Sequence, residues 1–130
     1  MAQVLVDTSA VYGLVDRDDA FHRKAVSILR QMPAHGRTPL LTNFIVAEVH
    51  ALILSRLGAA IALRWLLEQA WPVEAVSARD EEAAKNIIGQ YDDKSFSYTD
   101  ATSFAVMERK GIKAAFGCDP HFIQYGFQLL

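Results

Sequence analysis

Four carboxylates stand where side chains could do chemistry. Asp7 ends the apolar run Val4, Leu5, Val6, and Glu48 sits in the middle of a stretch that is otherwise apolar almost all round. Asp100 follows Tyr98 and Thr99, and Asp119 follows the apolar run Ile112 to Phe116. A short all-apolar run reads as a strand buried on both faces, and a carboxylate at its carboxyl end points at a ligand crevice. Asp7 could instead cap the next helix, because Asp, Thr and Ser are all good N-cap residues. Glu48 would cost several kcal/mol if buried alone, so it must reach solvent, a basic partner or a metal. In an open α/β sheet the carboxyl ends of the strands and the amino ends of the helices share one edge, so all four acids can meet. Carboxylates gathered in one crevice repel unless protonated or neutralised, which suits a hard divalent cation such as Mg²⁺ or Mn²⁺. A metal held this way keeps waters and takes further ligands from phosphate, as phosphodiester hydrolysis requires.

The elements that must position these acids alternate between strands and helices. A strand ending at Asp7 leads into a short helix, Thr8 to Val15, and then the charged turn Asp16 to Asp19. Phe21, Ala25, Ile28, Leu29 and Met32 recur at helical spacing, with His22, Arg23, Lys24 and Arg30 on the wet side. Pro33, Gly36 and Pro39 close that segment. Leu40 and Leu41 form a second strand, and Thr42 or Asn43 can cap a helix from about Phe44 to Leu57. Gly58 separates it from a helix reaching about Trp71, followed by a third strand, Val73 to Val76. A helix over about Asp80 to Tyr91 has its acids at the amino end, where the helix dipole favours them. Thr99 is the expected N-cap of the next helix, which places Asp100 in the first turn and ends at Gly111. Ile112 to Phe116 is a fourth strand, and His121 to Leu130 leaves room for a turn of helix and an edge strand. The pattern predicts one α/β domain over residues 1–130, a mostly parallel sheet of four to five strands flanked by helices.

Length and composition fit that domain. The chain has 130 residues, of which 52% are hydrophobic, enough to fill one core. No apolar run approaches the length of a membrane span, so a soluble, cytoplasmic protein is expected. A single cysteine, Cys118, excludes an intrachain disulfide and a cysteine-based zinc cluster, and is expected to be a small packing residue. The net charge of -2 argues against a broad basic groove. With the four acids neutralised around metal, 13 basic residues face 15 − 4 = 11 acidic ones, a balance of +2 that favours metal-mediated phosphate contact.

Taken together, the motifs resemble those of the PIN-domain nucleases, particularly the VapC-type toxins of prokaryotic toxin–antitoxin pairs, over essentially the whole length. Val6, Asp7, Thr8, Ser9 look like the first family motif, and Thr42, Asn43 with Ala47, Glu48 look like the second. Tyr98, Thr99, Asp100, Ala101 with Phe104 look like the third and most specific. Asp119, His121 and Phe122 look like the fourth. The resemblance implies that Asp7, Glu48, Asp100 and Asp119 hold Mg²⁺ or Mn²⁺ and orient the attacking water, with Thr8, Ser9 and Thr99 supporting them by hydrogen bonds. It implies an RNA substrate, 5′-phosphate and 3′-hydroxyl product ends, an antitoxin partner and a homodimer. Two departures stand out: Gly117 replaces the Thr or Ser that many relatives carry before the fourth acid, and Pro120 restricts the backbone of Asp119. His121 and Lys94 could each touch phosphate or simply be solvated. The alternative function is a catalytically silent PIN-like domain that binds RNA or protein. A phosphotransfer domain fits poorly, because position 9 is Ser where a dehalogenase-like phosphatase wants Asp, and Leu5 and Val6 precede Asp7 where a receiver wants acids.

Overall fold

The computed structural model describes residues 1–130. Strand β1 (Ala2–Val6) leads into α1 (Thr8–Val15) and α2 (His22–Gln31). A short 3-10 turn (Pro33–His35) then enters β2 (Arg37–Thr42). Helices α3 (Asn43–Leu57) and α4 (Ala59–Glu68) follow, then β3 (Val73–Glu74), α5 (Ala78–Gln90), α6 (Tyr98–Lys110), β4 (Ala114–Phe116), α7 (His121–Tyr125) and β5 (Gln128–Leu129). All five strands pair in parallel in the order β3-β2-β1-β4-β5. The strand order reverses direction at β1, so the crevice beyond the carboxyl ends of β1 and β4 is the topological switch point, where open α/β sheets bind ligands. Asp7 and Asp119 follow those two strands.

The core explains the strand runs read from the sequence. Val4, Leu5, Val6, Leu40, Leu41, Ala115 and Phe116 are buried and sandwiched between helices, as near-continuous apolar parallel strands require. Helix α6 is buried along Ala101 to Met107, and its Phe104 stacks on Tyr125 with centroids 4.6 Å apart. Phe122 packs edge-on against the same Phe104 ring, which ties α7 to α6 and fixes the segment carrying His121.

Several boundaries differ from the sequence expectation, each for a local reason. Helix α6 starts two residues earlier: Ser97, not Thr99, is the N-cap, its Oγ accepting from the Asp100 N–H at 3.0 Å. Thr42 caps α3, accepting from the Ile45 N–H, whereas Asn43 Oδ1 accepts from the Val76 N–H and draws the chain out of β3 after Glu74. Helix α4 stops at Glu68 rather than Trp71, because the Gln69 side chain bonds both the N–H and the carbonyl of Trp71. Strand β4 begins at Ala114, two residues later than expected, after the left-handed turn at Gly111. No helix is long and apolar enough to cross a membrane.

Candidate active site

Asp7 takes the N-cap position of α1, yet its side chain caps nothing; its backbone carbonyl accepts from Ala10 and Val11 instead. The buried carboxylate is therefore free to face the switch-point crevice, and Ser9 Oγ donates to its Oδ2 at 3.0 Å. Ser9 Oγ also accepts from the Cys118 N–H at 3.0 Å, so one hydroxyl ties the end of β1 to the loop after β4. This explains Gly117. A Cβ at that position would lie 2.8 Å from Ser9 Oγ and 3.0 Å from Asp7 Cβ, so the hydroxyl of Ser9 occupies the space a side chain at 117 would need. Cys118 is exposed rather than packed.

Glu48 projects from the solvent side of α3, where Thr8 Oγ1 donates to its Oε1 at 2.5 Å. Solvent and a hydroxyl thus resolve the cost of an acid on an apolar helix, with no Arg or Lys involved. Asp100 is the third residue of α6 and closes a capping box, its Oδ2 accepting from the Ser97 N–H at 3.2 Å. The same Oδ2 lies 2.8 Å from His121 Nδ1, which is also 3.3 Å from Asp119 Oδ1. Asp119 Oδ1 accepts from the His121 backbone N–H at 2.9 Å, as an Asp starting a turn before a helix does. A carboxylate only accepts, so Nδ1 is the protonated ring nitrogen and His121 clamps Asp100 to Asp119. Donor atoms of Asp100, Asp119 and His121 lie within 4.8 Å of one another. With Nδ1 committed as a donor, the ring serves to hold the two acids.

The electrostatics confirm the crowding. Burial pushes the Asp7 carboxyl from 3.8 up to about 7, with the charges of Asp100 and Asp119 adding to the rise and the Ser9 hydroxyl opposing it. No Lys or Arg forms an ion pair with any of the four acids. Glu48, Asp100 and Asp119 each have one oxygen hydrogen-bonded and the other without a partner in the chain. Carboxylate oxygens without partners, and no Lys or Arg in ion-pair contact with them, match what a hard divalent cation takes. Asp7, Glu48 and Asp119 line one cleft of about 360 Å³ together with Thr8, Ser9, Tyr12, Asp19, Arg56 and Cys118. Asp100 joins them through His121 and through its charge on Asp7.

Not every expected contact is present. Thr99 makes no side-chain bond to an acid; its carbonyl accepts from Thr102 Oγ1, and Ser97 supplies the support instead. Lys94 pairs with its neighbour Asp93 at the surface. His121 carries more of the site than its residue type alone suggested. Its signal was the spacing Asp119-Pro120-His121, which brings backbone N–H and ring back onto the same carboxylate.

The PIN domain family model matches residues 4–128. The chain belongs to the PIN-domain family. It is 36% identical over 129 residues to the 23S rRNA-specific endonuclease VapC20 of Mycobacterium tuberculosis, covering 95% of each chain. The crystal structure of that VapC20, described as a sarcin–ricin loop cleaving toxin, superposes with a TM-score of 0.87 at 32% identity, over 95% of each chain. More distant structures share the fold: VapBC2 from Rickettsia felis bound to promoter DNA (TM-score 0.68, 10% identity, 98% of this chain and 97% of that one) and FitAcB from Neisseria gonorrhoeae (TM-score 0.70, 14% identity, 98% and 96%).

Proposed function

We propose that this protein is a divalent-metal-dependent endoribonuclease, the cytoplasmic toxin of a toxin–antitoxin pair, folded as one domain over residues 1–130. The observation that carries the reading is the gathering of Asp7, Asp100 and Asp119 at the switch point, with Glu48 across the same cleft and no Lys or Arg neutralising them. These four acids would hold Mg²⁺ or Mn²⁺, directly or through water. When bound, the ion supplies neutralisation of the phosphate charge and a water of lowered pKa. The chain's own residues do the rest. Ser9 and Thr8 fix the rotamers of Asp7 and Glu48, and His121 and Ser97 fix Asp100 and Asp119. The unpartnered oxygens of Glu48, Asp100 and Asp119 can then orient a water for in-line attack and take its proton. Cleavage leaves a 5′-phosphate and a 3′-hydroxyl.

VapC20 supports RNA as the substrate, and ribosomal RNA is the first substrate to test. The VapBC2 relative supports an antitoxin partner. An apolar face is available to that antitoxin or to a homodimer: Leu63, Leu66 and Leu67 of α4 are exposed, beside a groove lined by Val11, Leu14, Val15, Leu29, Trp65 and Trp71. The test is cleavage of ribosomal RNA with Mg²⁺ or Mn²⁺ by the wild type, Asp7→Asn and Asp100→Asn, each checked for folding by circular dichroism. Cleavage that stops with chelator and in both variants is expected. Cleavage indifferent to chelator and to both substitutions would overturn the reading, and metal-independent RNA binding without cleavage would favour a silent binding domain.

A further inference from the structure

One cation enters the acidic cleft. Arg56 is the sole Lys or Arg among its lining residues, which include Asp7, Asp19, Glu48 and Asp119. It lies eight residues beyond Glu48 on α3, with Leu52 between them, so all three share one helix face at i, i+4 and i+8. At 1.5 Å per residue, Arg56 sits about 12 Å along the helix from Glu48. Its guanidinium Cζ is 4.9 Å from the centroid of the Tyr12 ring. Tyr12 is buried and anchored in turn by its hydroxyl, which donates to Asp16 Oδ2 at 2.7 Å.

No carboxylate lies within ion-pair distance of Arg56, although the cleft is rich in them. A guanidinium packed against the Tyr12 ring and touching its hydroxyl still has N–H groups left over, in the planar fork that matches phosphate. The stacking also fixes the side chain before anything binds, which lowers the entropy lost on binding. A polyanion brought to four acids meets repulsion everywhere in this cleft except at the metal and at this one group.

We propose that Arg56 binds a backbone phosphate of the substrate RNA next to the scissile one, setting the path of the strand across α3. Its contribution is to substrate binding and register. This assignment rests on the ribonuclease reading of the site.

The test uses Arg56→Gln, which removes the charged guanidinium and leaves a shorter polar side chain on an exposed position. Arg30→Ala, at the far end of α2, is the control that removes one positive charge elsewhere. Binding of a fluorescein-labelled single-stranded RNA is measured in the Asp7→Asn background against salt, and cleavage of ribosomal RNA is measured in the otherwise native protein. Arg56→Gln is expected to weaken RNA binding several-fold and to reduce the slope of log K against log salt by about 0.7, the value for one lost single-strand phosphate contact. KM should rise by a similar factor while kcat and Mn²⁺ affinity stay unchanged, and Arg30→Ala should leave the slope and KM as they were. Unaltered affinity, slope and KM in Arg56→Gln would overturn the assignment of Arg56 alone, as would an equal loss in Arg30→Ala. A wild-type protein that cuts no RNA with either metal would overturn the reading of the site and this assignment with it.

Discussion

Without metal, Asp7 should be a liability to the fold that asparagine relieves. The buried carboxyl is pushed from 3.8 to about 7, chiefly by burial, with Asp100 and Asp119 adding to it. A rise of that size corresponds to about 4 kcal/mol, at roughly 1.4 kcal/mol for each tenfold change in proton affinity. Between those two values the folded state holds a proton that the unfolded chain has released. Stability therefore falls as pH rises through the window, the full cost being present above about 7 and absent below about 4. Asp7→Asn keeps the shape and can still accept from Ser9, but carries no charge to desolvate. At about pH 8 in chelator, thermal unfolding of Asp7→Asn is expected on the order of 10 °C above the wild type, for a domain of this size. The gap should close as pH is lowered to about 4, where the wild-type acid is neutral in both states. Adding Mn²⁺ at about pH 8 should narrow it too, because bound metal favours the ionised wild-type carboxylate. Equal melting temperatures for the two proteins at about pH 8 in chelator would refute the reasoning, as would a gap that widens on acidification.

Three further outcomes follow from the packing. Gly117→Ala places a Cβ 2.8 Å from Ser9 Oγ, so it should cost about 1–3 kcal/mol by overpacking and lower cleavage by displacing Asp7; denaturant titration of Gly117→Ala alone and combined with Ser9→Ala should show coupling between the two sites. Ser97→Ala removes the cap of α6 and should cost about 1 kcal/mol in the same titration, whereas Thr99→Ala should cost less because its side chain holds no bond. Arg109→Ala leaves the buried Asp80 without its two 2.9 Å bonds and should cost about 2 kcal/mol or more at neutral pH. Arg109 holds the Asp80 carboxyl below its ordinary range, so this contribution is present above about pH 4 and should be lost as acid titrates that carboxylate, which melting curves at falling pH would detect.

Asp80 and Asp100 show why the sequence could mark acids but not sort them. Each is the third residue of a helix capped by a Ser three positions earlier, Ser77 and Ser97, and each closes a capping box. Locally they are twins. Arg109 reaches one of them from a distance of 29 residues in the chain, and only His121 reaches the other, so tertiary contacts decide which acid is structural. Asp7 and Asp119 were legible because apolar runs ending in acids fix strand ends and so share one edge of the sheet. The helices were legible in number and order, and their ends were not, because side chains such as Gln69 and Asn43 redirect the backbone through bonds no periodicity reveals. Gly117 read as a departure from the family pattern. The structure turns it into a consequence of Ser9, whose hydroxyl fills that space and joins the two strand ends. His121 and Arg56 needed the fold itself, since their partners lie 21 and 44 positions away.

The central claim is that the switch-point acids form a divalent metal site. Crystals soaked in Mn²⁺ and measured at the manganese absorption edge test it directly, through an anomalous difference map. A peak bounded by Asp7, Asp100 and Asp119, lost in crystals of Asp100→Asn, is the expected result. A map with no peak in that crevice, or with manganese bound only elsewhere on the surface, would contradict the claim.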